Sequence, residues 1–175
     1  MNDFFFILVV KKMTKFSILL LMIGIPGSGK TRWVEQYLQT HPYCYVVSTD
    51  ALRKELTGSE QCIDPSQNEW IHEEARKRVK AIIDNPDNYG GNKGMGPEII
   101  VDSTNVDLDE WKKYRKLNAS YYRAIVCDVP IDVAMEHQKN RERQVPQEIV
   151  TQKYNTLQKN KQFLSSFFNM TTFIH

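Results

Sequence analysis

Residues 16–31 read FSILLLMIGIPGSGKT, and the fold turns on them. Phe16 to Ile23 is a continuous apolar run that stops at Gly24. Such a run, with no polar alternation, predicts a strand buried on both faces, as in a parallel sheet. After the turn, Trp33, Val34, Tyr37 and Leu38 recur at helical spacing, so Thr31 to Leu38 predicts an amphipathic helix. The turn itself, Gly24 to Thr31, satisfies G-x-x-x-x-G-K-[ST] at every constrained position. Its glycines allow a tight bend that aims backbone N–H groups inward at phosphate oxygens. The helix that follows presents its positive N-terminal end to the same place. In this P-loop, Gly27, Ser28 and Gly29 form the cradle, Lys30 reaches the β- and γ-phosphates, and Thr31 offers a hydroxyl to a metal. The expected ligands are ATP and Mg²⁺.

Downstream, strands and helices alternate. Tyr43 to Ser48, Glu98 to Val101 and Tyr122 to Val126 are further apolar strands. Between them, Ala51 to Leu56, Gln67 to Ile83, Leu108 to Leu117 and Pro130 to about Asn140 predict helices. Trp70, Ala75, Val79 and Ile82 are expected on the inner face of the long one, and Asn85 to Pro97 forms a polar, glycine-rich loop. A last helix starts at Pro146, with Ile149, Tyr154, Leu157 and Leu164 on its apolar side. The pattern predicts an α/β protein with a three-layer α/β/α arrangement and a parallel sheet of four to five strands; with the P-loop, it resembles a nucleoside-kinase-like P-loop NTPase. Three segments are expected: an N-terminal extension over 1–14, the P-loop kinase domain over 15–165, and an apolar C-terminal tail over 166–175.

Ligands of open α/β sheets bind beyond the carboxyl ends of the strands. The second strand ends in Ser48-Thr49-Asp50-Ala51-Leu52-Arg53, which puts Asp50 beside the P-loop. A carboxylate there can take the proton of an acceptor hydroxyl during phosphoryl transfer. Arg53, one helical turn on, suits a phosphate on that acceptor. The bland alternative makes Asp50 a helix N-cap and Arg53 a surface residue. The third strand ends in Asp102-Ser103-Thr104-Asn105. Asp102 there can hold a Mg²⁺-bound water, orient the acceptor, or cap the next helix. Arg141 and Arg143 lie on a polar connection before Pro146, where Arg141 especially can close over the triphosphate as a lid. A solvated charged turn is the alternative.

Composition narrows the setting. The chain has 175 residues, 41% hydrophobic and 25% charged, with a net charge of +2. That fits one domain with its own core and excludes a global field drawing it onto nucleic acid. Cys44, Cys62 and Cys127 show no metal-ligand spacing, and a reducing, cytoplasmic setting is expected. Phe4 to Val10 is too short an apolar run to span a bilayer, and Asp3 before it with Lys11 and Lys12 after it is the wrong layout for a signal peptide. Met13 is an alternative start.

At these landmarks the chain resembles the P-loop kinase domain of phage and bacterial 5′-polynucleotide kinases, the AAA_33-type ATP-binding kinases. The matching residues are GIPGSGKT at 24–31, TDALRKELTG at 49–58, IIVDSTN at 99–105 and RERQVPQEIV at 141–150. The resemblance runs over roughly residues 16–160. It implies that Lys30 and Thr31 hold ATP–Mg²⁺, that Asp50 is the general base for a 5′-hydroxyl, and that Arg53 contacts the acceptor's 3′-phosphate. It makes Arg141 the lid arginine and matches Asp102 to the family's Asp-x-x-Asn landmark. His137 stands where the family often has arginine. In some relatives a phosphatase domain follows; these residues are expected to hold the kinase part alone.

The expected partner is a 5′-hydroxyl DNA or RNA end, with a nucleic-acid repair role. A small-molecule kinase acting on a sugar, nucleoside or sugar nucleotide is the second reading. A nucleotide-binding switch without transfer is the third, and Asp50 speaks against it. The basic clusters Arg76-Lys77-Arg78 with Lys80 and Lys112-Lys113 with Arg115-Lys116 are either phosphate-steering or a solvated face. The apolar tail either packs on the domain or makes a homo-oligomer contact.

Overall fold

The computed structural model describes residues 16–59, 65–89, 96–139 and 144–175. Among the described residues, five strands form one parallel sheet in the order β2-β3-β1-β4-β5. They are β1 (Ile18–Ile23), β2 (Cys44–Ser48), β3 (Glu98–Asp102), β4 (Tyr121–Cys127) and β5 (Met170–Ile174). The helices are α1 (Lys30–Thr40), α2 (Thr49–Thr57), α3 (Pro65–Asp84), α4 (Leu108–Arg115), α5 (Ile131–Lys139), α6 (Gln147–Asn160) and α7 (Leu164–Phe167). The expected extension over 1–14, Cys62, Arg141 and Arg143 lie outside the described residues.

β1 is central, and Leu19 to Ile23 are fully buried, as a strand covered on both faces must be. Alternation then divides its side chains. Leu19, Leu21 and Ile23 pack with Ile71, Ala75 and Val79 of α3, Trp111 of α4 and Leu157 of α6. Leu20 and Met22 pack on the other side with Val34 of α1. Helices on both faces make the three layers.

Three expectations are corrected by packing. Trp70 is exposed, and Ile71, Ala75, Val79 and Ile82 form the buried stripe of α3, one residue out of phase with the predicted start. In α6 the buried apolar residues are Val150 and Leu157, while Ile149 is exposed. The segment expected as a tail carries α7's end and β5, which runs parallel to β4 in register Arg123↔Met170 to Cys127↔Ile174. Asn169 starts that pairing: its amide oxygen accepts from Tyr122 N at 2.9 Å and its own N donates to Tyr122 O at 2.9 Å. Phe167 and Phe168 pack edge-on against Trp111.

The loop after β3 is fixed by buried polar groups. Asn105, at φ 44°, donates from Nδ2 to Met22 O at 2.9 Å. Trp111 Nε1 donates to Asn105 O at 2.6 Å. Asn160 Nδ2 donates to Val106 O at 2.9 Å in a buried setting. Removing that donor leaves a buried carbonyl unmet. Asn160→Ala is therefore expected to cost about 1–3 kcal/mol, read as a lower midpoint in urea unfolding with an unchanged slope.

Candidate active site

The carboxyl ends of β1, β2 and β3 converge on one cavity of about 360 Å³. Its walls include Lys30 and Thr31, Thr49, Asp50 and Arg53, Asn68 and His72 of α3, and Asp102. From the far side come Val145 and, on α6, Ile149 and Lys153. The exposed Ile149 is thus a cavity wall rather than a core residue.

The P-loop is built as its sequence requires. Gly27 and Gly29 have φ of 85° and 90°, in the left-handed region that favours glycine. Gly29 is the N-cap of α1 and no side chain caps that helix, so its first N–H groups turn into the loop. Lys30 Nζ donates to Gly24 O at 2.9 Å and Ile25 O at 2.8 Å, which holds the ammonium across the loop mouth. Ser28 Oγ is buried without a protein partner. A buried hydroxyl left unmet in a ring of inward N–H groups suits an anion. His137 Nδ1 lies 2.9 Å from Gly27 O and so ties α5 to the loop.

Thr31 Oγ1 donates to Asp102 Oδ2 at 3.1 Å. A hydroxyl and a carboxylate together, both at the P-loop, fit Mg²⁺, which takes few protein ligands and keeps waters and phosphate oxygens. Among the described residues no cluster of three or more His, Cys, Asp or Glu could hold a metal by itself. The helix-cap alternative for Asp102 does not match the geometry, since Asp107 is the N-cap of α4.

Asp50 and Arg53 behave as a unit. Arg53 Nη1 donates to Asp50 Oδ1 at 2.8 Å, and Nη2 donates to Asn68 Oδ1 at 2.7 Å. Ser48, not Asp50, caps α2, accepting from Ala51 N. Arg53 is 3% exposed against 44% for the Asp50 side chain. A buried guanidinium is anchored while its carboxylate partner faces the cavity. Neither the N-cap nor the surface reading survives.

The basic clusters, by contrast, are largely paired with carboxylates. Arg76 pairs with Glu69 and Glu110, Lys113 with the same two carboxylates, and Arg78 with Glu55 and Glu74. Lys80 pairs with Asp84 and Lys112 with Asp109. Arg115 lies over the Tyr122 ring. Sequence reasoning missed Asn68, His72 and Lys153. The first two sit four residues apart on α3, beside the buried stripe, and that polar i, i+4 pair was the available signal.

Residues 19–164 match the family model AAA_33, an AAA domain. The chain belongs to the AAA_33 family. Among solved structures, a chain of the Pnkp1/Rnl/Hen1 RNA repair complex superposes with a TM-score of 0.70 at 19% identity, covering 87% of this chain and 48% of that one. A second structure of the Pnkp1/Rnl/Hen1 complex gives 0.57 at 21%, over 75% and 42%. A gluconokinase from Sinorhizobium meliloti 1021 gives 0.57 at 14%, over 92% and 82%. This AAA_33 chain thus spans about half the length of the repair-complex chains it matches. These likenesses show a fold shared with a chain of an RNA repair complex and with a gluconokinase.

Proposed function

We propose that this protein transfers the γ-phosphate of ATP to the 5′-hydroxyl of a nucleic-acid end. The observation that carries the reading is the Asp50–Arg53 pair, which faces the P-loop across one cavity. A carboxylate held by a buried guanidinium at that position has work to do in transfer and none in a nucleotide switch. In the reaction, the acceptor oxygen bonds to the γ-phosphorus and the bond to the β–γ bridging oxygen breaks. Asp50 takes the acceptor's proton. Arg53 positions both Asp50 and the acceptor. Lys30 leaves its carbonyls to neutralise charge on the β- and γ-phosphates. Mg²⁺, held by Thr31 and Asp102, supplies further charge neutralisation when bound. The resemblance assigns Arg141 the part of a lid arginine on the triphosphate. The RNA repair complex among the structural neighbours supports the acceptor class; the gluconokinase supports the alternative of a small hydroxylated acceptor.

Among the described residues no helix is long and apolar enough to cross a membrane. Cys44 and Cys127 are uncrosslinked, which agrees with a cytoplasmic enzyme.

The test offers γ-labelled ATP and Mg²⁺ with 5′-hydroxyl oligonucleotides and, in parallel, a panel of free sugars and sugar acids. Label at the 5′ end of an oligonucleotide is the expected result. Label on a small acceptor alone overturns the nucleic-acid reading in favour of a metabolite kinase.

A further inference from the structure

A second cavity of about 260 Å³ adjoins the first, and the two share Asn68, His72, Thr104 and Lys153 as walls. The reaction proposed above uses none of its own groups. Its carboxylates are already spent. Asp107 pairs with Lys153 at 2.7 Å, and Glu110 with Arg76 and Lys113 at 2.9 Å each. Glu69 pairs with Arg76 at 3.0 Å and Lys113 at 3.2 Å. Three carboxylates thus face three cations, and the chamber has hydrogen-bonding capacity with little net charge. That suits a neutral hydroxylated group and offers little to a phosphodiester, which needs cations not already paired.

His72 stands at the waist between the cavities, with its side chain 18% exposed. It shares the first cavity with the reacting centre: Asp50 accepts from Arg53, Arg53 donates to Asn68, and Asn68 and His72, one helical turn apart on α3, both line that cavity. His72 Nδ1 is buried with no hydrogen-bond partner and lies 3.8 Å from Glu110 Oε2. Burial lowers the imidazole's pKa, and the charges of Arg76 and Arg53 add to that against the raising effect of Glu110 and Glu69. That direction favours the neutral ring. The nearby Glu110 carboxylate favours the tautomer with the proton on Nδ1. Nε2 then carries the lone pair, a hydrogen-bond acceptor at the cavity wall. A hydroxyl can donate to it; a phosphate oxygen cannot.

We propose that His72 reads a second hydroxyl on the acceptor's sugar, so that the enzyme prefers a ribose end to a deoxyribose end. This rests on the reaction proposed above. His72 is a specificity-determining residue in this account, not a proton carrier in the transfer. The same chemistry would read a hydroxyl of a free sugar, and the test separates the two sources.

The experiment compares kcat/KM for 5′-hydroxyl oligonucleotides that differ only in the terminal sugar, ribose or 2′-deoxyribose. Free ribose and 2-deoxyribose run alongside. A preference of about tenfold for the ribose end is expected, as for one hydrogen bond in a partly open site. His72→Phe should abolish the preference by slowing the ribose end alone, with the KM for ATP unchanged. His72→Gln, which restores an acceptor, should recover part of it. Equal rates on both ends in the native enzyme, or equal slowing of both in His72→Phe, overturn the hydroxyl filter and leave the kinase reading standing. No transfer to either oligonucleotide overturns that kinase reading and the RNA preference with it. Transfer to free ribose over 2-deoxyribose, without oligonucleotide transfer, keeps the filter and moves the hydroxyls to a small molecule.

Discussion

Asp50→Asn is expected to lower kcat by about 10²–10⁴-fold, with the KM for ATP unchanged. The substitution is isosteric, and an amide oxygen can still accept from Arg53 Nη1, whose bond to Asp50 is 2.8 Å long. Arg53 also keeps its bond to Asn68 at 2.7 Å. The guanidinium therefore stays in place, and only the proton acceptor is removed. A stability effect exists but is small. Arg53 is buried, yet the Asp50 side chain is 44% exposed, so solvent screens the lost charge pair to about 1 kcal/mol or less. A melting curve close to the native one, with ATP binding intact and turnover lost, assigns Asp50 the proton. Turnover within about threefold of native would mean that another group, or water, accepts it. Loss of ATP binding along with turnover would instead place Asp50 in the nucleotide site.

The parts of this molecule that local chemistry dictates were legible in its sequence. The buried central strand and the P-loop need no distant partner to be recognised, because an unbroken apolar run and a fixed glycine spacing each have few other uses. Asp50 was placed by strand end and turn alone. The cap reading fell because Ser48 takes that place, and the anchoring of Arg53 rests on a contact fifteen residues away, to Asn68, which no spacing rule contains. The phase error in α3 has a similar origin. Trp70 and Ile71 both satisfy a helical period, and the sheet chose Ile71. Residues 170–174 were missed as a strand because edge strands need no apolar alternation on a solvated side. The run of β-branched Thr171, Thr172 and Ile174 was the signal. His72 and Lys153 were invisible for another reason. A cavity wall drawn from α3 and α6 is a product of how the layers dock, and single helices do not announce what they face.

Two glycines of the P-loop share a backbone conformation but differ in surroundings, and their alanine variants should differ accordingly. Gly29 has φ 90°, and a Cβ added there would meet no atom within 4 Å. Gly29→Ala then carries only the left-handed backbone strain, about 1–2 kcal/mol. Gly27 has φ 85°, and a Cβ there would lie 2.2 Å from the Ala134 carbonyl oxygen and 3.2 Å from Gln138 Cγ. The carbonyl belongs to the backbone of α5 and cannot rotate away, so the helix itself must shift. Gly27→Ala adds that overpacking to the strain, for about 2–5 kcal/mol in all. The shift also breaks the 2.9 Å contact between His137 Nδ1 and Gly27 O and pulls Ala134 from its buried seat. The phosphate cradle is thereby opened, and ATP affinity should fall by roughly tenfold or more. Calorimetry of unfolding and titration with ATP–Mg²⁺ test both effects together. Gly27→Ala should melt below Gly29→Ala and bind ATP more weakly than it does. If the two variants melt alike and bind alike, the seating of α5 on the loop contributes nothing to nucleotide binding, and backbone strain alone explains why both positions are glycine.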